Sequence, residues 1–287
     1  MFDMLKRSLS LGTFVLFALF ATIGFAQDVP DANTIADPPD LVRITERGNL
    51  IVAMTSFDNA PFYSEKDGHL EGIDVDLAHE VADALGVEVE FDRTAETFND
   101  VVAKVKNGEA DIAISKISRT NSRAMVVAFS TPYVRLKHAL MFNRLKLAQK
   151  SQGQDLGEYV RNFDGNLGVI EKSSFANFAK IRFPNANIMS FKTWAEVVDA
   201  TISGTVDAAY RDEFEVRRIA EDRPETSISL RTVTISDARD SIAVAAPWNA
   251  PRLLAIINQV IDDRSTSMNA DDVIAMYRKS IATEGAH

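Results

Sequence analysis

Apolar residues dominate Leu50 to Thr55, which predicts a strand. The period then changes. Val75, Ala78, Val81, Ala82 and Leu85 recur at helical spacing behind Asp74, a residue suited to capping a helix start, and Gly86 supplies the stop. Val87, Val89 and Phe91 alternate with Glu88 and Glu90 as in a half-exposed strand, and Phe98, Val101, Val102 and Val105 return to helical spacing before Gly108. Strand, helix, strand, helix predicts an α/β fold with largely parallel pairing.

The chain also matches itself. Thr97-Phe98-Asn99-Asp100-Val101-Val102 recurs as Thr193-Trp194-Ala195-Glu196-Val197-Val198, 96 positions later. Gly108 and Gly204, Asp111 and Asp207, and Ala113 and Ala209 stay in the same register, so each copy reads as a helix, a glycine stop and a short strand opened by aspartate. Two similar α/β lobes are expected. Ligands of open α/β sheets sit beyond the carboxyl ends of the strands, which points to Ser115 in the first lobe and to Arg211 and Asp212 in the second.

The N-terminal segment has a different character. Lys6 and Arg7 precede an apolar stretch from Leu9 to Phe25, and the small residues Gly24 and Ala26 stand before Gln27. This is the layout of a secretory signal peptide, residues 1–26, cleaved after Ala26. The other reading is an uncleaved anchor, for which the stretch is marginal against the ~20 apolar residues of a membrane span. No cysteine follows to anchor a lipoprotein, and cleavage shifts the net charge of −10 by one unit toward acid. Residues 27–40, with Pro30, Pro38 and Pro39, read as a disordered leader, and the folded body is expected near Leu41. Export with no thiols suits a periplasm.

Composition narrows the function classes. The 287 residues are 46% hydrophobic and 25% charged, with 31 Lys+Arg against 41 Asp+Glu. That excludes a disordered protein, a disulfide scaffold, a cysteine-ligated metal protein and a typical basic nucleic-acid binder. The four histidines, His69, His79, His138 and His287, show no metal-ligand spacing, and no phosphate loop or nucleophile elbow is present, so no metal and no cofactor is expected.

The order of several short segments is more telling than any one of them. Gly48-Asn49-Leu50-Ile51-Val52-Ala53, Ala60-Pro61-Phe62, Asp67-Gly68-His69-Leu70-Glu71-Gly72-Ile73-Asp74, Gly108-Glu109-Ala110-Asp111-Ile112-Ala113, Thr120-Asn121-Ser122-Arg123, Phe129-Ser130-Thr131-Pro132-Tyr133 and Gly204-Thr205-Val206-Asp207-Ala208-Ala209-Tyr210 follow one another over residues 43 to about 280. This order resembles the bacterial extracellular solute-binding proteins of family 3, the polar amino-acid receptors of ABC importers. The resemblance implies a type II periplasmic-binding-protein clamshell with two crossover strands. Lobe 1 would take 41–142 and 241–287 and lobe 2 would take 143–240, with closure about strands near 139–143 and 236–242. Residues 144–164 read as a surface excursion. The implied partners are an amino-acid ligand and the permease subunits of a membrane importer, with the receptor itself a monomer and no nucleic acid involved.

An α-amino acid needs a fixed cation for its carboxylate and a carboxylate for its ammonium. Arg123 matches the first role, with Thr120 placed to cap the helix that begins there. Ser118 matches a hydroxyl that contacts the carboxylate, although a turn hydroxyl fits equally. Ser174, after Ser173 and before Phe175 and Phe178, matches a helix N-terminus facing the cleft, and helix capping alone is the other reading. Asp212 matches the aspartate that holds the ammonium. Three departures unsettle the side-chain preference: Asn59 where an aromatic is common, Lys172 where glycine is frequent, and Lys116 in place of a small polar residue. Phe57 or Phe62 is a candidate apolar wall. The same clamshell hosts enzymes such as a cyclohexadienyl dehydratase, with Glu171, Lys172 or Asp212 as candidate acid or base, and a receptor serving a separate sensor or another transporter is a third reading. The binding reading, without catalysis, is the expectation.

Overall fold

The structure, a computed structural model, describes residues 38–264 and 267–284. The signal-peptide reading and most of the leader lie outside the described residues. α1 (Pro39–Arg47) begins two residues before the expected start of the body, with Pro39 at the first helical position, where its missing N–H costs nothing. It is followed by β1 (Asn49–Thr55), the ribbon of β2 (Ser64–Lys66) and β3 (His69–Glu71), α2 (Ile73–Leu85), β4 (Glu88–Ala95), α3 (Phe98–Asn107), β5 (Ile112–Ala113), α4 (Asn121–Ala124), β6 (Ala128–Phe129) and the ten-residue β7 (Val134–Asn143). The second half runs through α5 (Arg144–Ser151), α6 (Leu156–Arg161), β8 (Asn166–Ile170), α7 (Ser174–Arg182), β9 (Asn187–Phe191), α8 (Trp194–Ile202), β10 (Ala208–Asp212) and α9 (Glu213–Asp222). β11 (Leu230–Ile242), β12 (Ala245–Ala246), α10 (Pro251–Asp263) and α11 (Ala270–Glu284) complete it.

Two five-stranded sheets result, ordered β4-β1-β5-β12-β6 and β11-β7-β10-β8-β9. β1 pairs in parallel with β4 and β5, and β8 with β9 and β10. The remaining ladders are antiparallel, so the pairing is mixed rather than largely parallel. The departure has a topological cause. β7 and β11 pair antiparallel from Val134 with Ile242 to Asn143 with Leu230, with a register shift between Ile235 and Arg239, and they carry the chain between the two sheets.

The internal repeat holds down to single hydrogen bonds. Thr97 and Thr193 each cap a helix by accepting the backbone N–H of Asp100 or Glu196 at 3.2 Å. The side chain of Asp111 accepts the Ile51 N–H at 2.9 Å, and that of Asp207 accepts the Asn166 N–H at 2.7 Å. Each aspartate also sends its own N–H to the same partner's carbonyl, at 2.9 and 2.8 Å. A buried carboxylate thus pins β1 in the first copy and β8 in the second.

Two expectations need correction. Asp74 does not cap α2; Gly72 holds that position at φ 129°. A Cβ at Gly72 would lie 2.5 Å from the Phe62 carbonyl oxygen, so the chain can turn there only with glycine. Asp74, the second residue of α2, is fully buried and accepts the Lys116 N–H at 2.6 Å and the Tyr133 hydroxyl at 2.7 Å. Burial pushes its carboxyl up to about 7, against the lowering effect of those two donors. Residues 144–164 are not a surface excursion either. They form α5 and α6, whose Leu147, Tyr159 and Val160 pack with Phe163 into the core of the second sheet. Their polar residues lie on the outer faces, which hid the apolar ones.

Candidate ligand-binding site

The segments after β5 and β8 and the end of β10 meet at a small cavity of about 10 Å³, room for roughly one water molecule. From the first sheet's side come Lys116, Ser118 and Arg123. From the second come Ser174, Arg211 and Asp212, with Asp240 arriving on β11.

Arg123 is positioned by a local device. Thr120 accepts its backbone N–H at 3.2 Å and caps α4, which turns the side chain inward to 5% exposure. The guanidinium donates to the Ser118 carbonyl at 3.0 Å and to the Asn99 side-chain oxygen at 3.0 and 3.3 Å. Both acceptors are neutral. Burial pulls its pKa down to about 10, with the Asp240 charge working in the opposite direction. The Ser118 hydroxyl bridges the two sides, contacting Ser174 Oγ at 2.8 Å and Asp240 Oδ2 at 2.9 Å. Ser173 caps α7 by accepting the Ala176 N–H at 3.2 Å, which leaves Ser174 to face the cavity.

Asp212 caps α9 through Oδ1, which accepts the Glu215 N–H at 3.1 Å. Its Oδ2 takes the Lys116 ammonium at 3.0 Å, and Lys116 also reaches Glu215 at 2.7 Å. The ammonium lies 4.9 and 5.0 Å from the ring centroids of Phe62 and Phe214, so aromatic faces complete its enclosure. Lys116 itself has φ 48°, a left-handed conformation held by the Asp74 bond to its N–H. Burial raises the Glu215 carboxyl, but Arg218, Lys116 and Arg211 outweigh it and hold the group well below the usual carboxylate range.

Arg211 is stacked between Phe98 and Trp194, 5.5 and 5.7 Å from their centroids, and its Nε is buried without an acceptor. It lines both the inner cavity and a second, larger pocket of about 380 Å³, whose other lining residues include Phe57, Asn59, Trp194 and Arg218. Phe57 stands edge-on to Phe98 at 5.6 Å. Phe62 is fully buried, a core residue beside Lys116 rather than an open wall.

The other sequence candidates fall elsewhere. Ser115 is buried with its hydroxyl accepting the Thr55 N–H at 3.1 Å, a bond within the first sheet. Lys172 is exposed at φ 52° and does not line the cavity. Asp240, Glu215, Asn99 and Trp194 join the site without belonging to the motifs that point to it in the sequence. For Trp194 and Lys116 a signal existed in the repeat: one aligns with Phe98 and the other with Asp212. Among the described residues no cluster of three or more His, Asp or Glu is placed to hold a metal.

The description of bacterial extracellular solute-binding proteins, family 3, matches residues 51–278. The chain belongs to this family. A substrate-binding protein of an amino acid ABC transporter from Streptococcus pneumoniae, bound to L-arginine, superposes with a TM-score of 0.67 at 29% identity, covering 83% of this chain and 98% of that one. A probable histidine-binding protein of Campylobacter jejuni is 26% identical over 76% of this chain and 80% of its own length. A membrane-bound lytic murein transglycosylase F of Idiomarina loihiensis is 27% identical over 80% of this chain but only 49% of its own, so the chain spans about half of that relative. The chain shares the mixed α/β fold of type II periplasmic binding proteins of solved structure. No helix among the described residues is long and apolar enough to cross a membrane.

Proposed function

We propose that the chain is a periplasmic solute-binding protein that captures a polar amino acid or close relative between two lobes and delivers it to the permease subunits of a membrane ABC importer. In this reading lobe 1 is 41–142 with 241–287, lobe 2 is 143–240, and β7 and β11 are the connections. The observation that carries it is the meeting of Arg123 and Ser118 from one sheet's side with Ser174 from the other around one buried cavity. A guanidinium bonded only to neutral oxygens, beside two hydroxyls from opposite sides, suits a ligand carboxylate. Such an arrangement is completed only by closure. The larger pocket that shares Arg211 with the cavity then takes the ligand side chain, with Phe57, Asn59 and Trp194 as walls. Thr120 serves by placing Arg123, and Asp212 serves through its ion pair with Lys116. Ser115 and Lys172 have no contact role in this reading.

A thermal-shift screen of the mature protein against the standard amino acids tests it. A ligand held only by the native state at a hundredfold excess over Kd adds about 2.7 kcal/mol. A screen in which none raises the melting temperature would sink the reading. Chemical change in a bound compound, followed over time, would move the chain to the enzyme class.

A further inference from the structure

Asp212 and Asp240 both line the cavity, but they are not equally able to accept a ligand cation. Asp212 is spoken for: Oδ1 holds the Glu215 N–H and Oδ2 holds Lys116. Glu215 behind it is also engaged, by Lys116 at 2.7 Å and Arg218 at 3.2 Å. The Lys116 ammonium lies between these carboxylates and two ring faces, 2% exposed. A ligand ammonium arriving there would have to displace a tethered one already bonded to two carboxylates.

Asp240 is in the opposite state. It is 2% exposed; Oδ2 accepts the Ser118 hydroxyl at 2.9 Å, and Oδ1 is buried with no donor. Among the described residues no Lys or Arg reaches it as an ion pair, and the charges of Lys116 and Arg123 act on it only from farther away. Burial, helped by the Asp212 charge, pushes its carboxyl up to about 6, which a bound cation would reverse. A buried acceptor with no partner is an uncommon arrangement that calls for a donor. Arg123 supplies a carboxylate seat in the same cavity, and Ser118 touches both groups.

We propose that Asp240, rather than Asp212, is the residue that holds the ammonium of an α-amino acid in this chain, Lys116 having taken Asp212 out of that role. This rests on the solute-binding reading above and moves the ammonium seat from the end of β10 onto the connecting strand β11.

Calorimetry on Asp240→Asn and Asp212→Asn decides it, using the amino acid that binds wild type most tightly among L-arginine, L-histidine and the other standard amino acids. Each is paired with its deaminated acid, guanidinovalerate for L-arginine or imidazolepropionate for L-histidine. Asp240→Asn should weaken the amino acid by at least about thirtyfold and change the deaminated acid by less than about threefold. Asp212→Asn should affect the two ligands alike. Asn keeps the shape of Asp240 and can still accept the Ser118 hydroxyl, and unfolding curves on the variant check that it folds. If Asp240→Asn binds the amino acid as wild type does, or loses both ligands equally, the assignment is overturned while the solute-binding reading stands. The same holds if Asp212→Asn is the variant that loses the amino acid selectively. If no amino acid binds wild type, both fall.

Discussion

Lys116 and Asp212 stand 96 residues apart, at matching positions of the two internal copies, and their side chains meet in a buried ion pair at 3.0 Å. The repeat therefore brings two equivalent loop positions face to face with opposite charges. Glu215 widens the pair to a triad, and Arg218 ties it to the next turn of α9 and to the Ala60 carbonyl. Inside a low-dielectric site such a pair must be kept whole, because removing one member strands the other without water.

Lys116→Ala should accordingly cost about 3 kcal/mol or more in denaturant unfolding, since Asp212 loses its nearest cation. Glu215 retains Arg218, so the carboxylate left uncompensated is Asp212. Lys116→Met with Asp212→Asn, which removes both members of the pair and keeps an α9 cap, should recover much of the loss. Equal stability of Lys116→Ala and wild type would show that the triad contributes nothing to the fold.

Arg123 is proposed as the carboxylate seat, and truncating it should cost the intact amino acid about 2 kcal/mol or more of affinity. Arg123→Lys should not rescue binding, because the ammonium cannot present two parallel donors. In Arg123→Ala the decarboxylated amine should fare little worse than the amino acid, since the interaction it lacks has already gone. Calorimetry showing wild-type affinity in Arg123→Ala removes this role.

What the sequence conveyed best were local devices repeated twice. Thr97 and Thr193, and Asp111 and Asp207, make their bonds to residues that periodicity already places, so the internal repeat and the strand ends could be read. The family order of motifs brought Arg123, Ser118 and Ser174 within reach of one cavity in the same way. Asp74 misled because an aspartate ahead of an apolar period looks like a cap, whereas its partners, Lys116 and Tyr133, are 42 and 59 residues away. Asp240 gave no local signal: its environment is made by Ser118, 122 residues distant. The engagement of Lys116 with two carboxylates is likewise a tertiary event.

His138 lies against Phe175, Phe178 and Tyr210, with Nδ1 bonded to the Tyr210 hydroxyl and Nε2 buried without a partner. Burial pulls its pKa down from 6.5 to about 4 despite the Asp212 charge, so the ring is neutral in the folded state. Between those values the unfolded chain binds a proton that the native one refuses. Stability is therefore full above about pH 6.5 and falls as pH drops toward 4, by about 3 kcal/mol from this group. Comparing the pH dependence of wild type with that of His138→Phe isolates it: the difference should flatten the acid limb between those values. Parallel curves would show that His138 titrates normally.

Closure should depend on buried contacts rather than surface pairs. Side chains from the two sheets meet at Ser118 with Ser174 and at Lys116 with Asp212, all deeply buried, and Phe62 stands edge-on to Phe214 at 5.8 Å. The pairs Arg217 with Asp271 and Arg278 with Glu221, between α9 and α11, are largely exposed and contribute little in water. Salt screens the second group within about a Debye length and leaves the first almost untouched. The radius of gyration of wild type should therefore be the same at low and high ionic strength. The double variant Lys116→Met, Ser118→Ala should scatter as a larger particle, because β7 and β11 remain as connections while the contacts that draw the two sides together are gone. If wild type expands with salt, the exposed pairs of α11 hold it closed, and if the double variant keeps the wild-type curve, neither buried contact does.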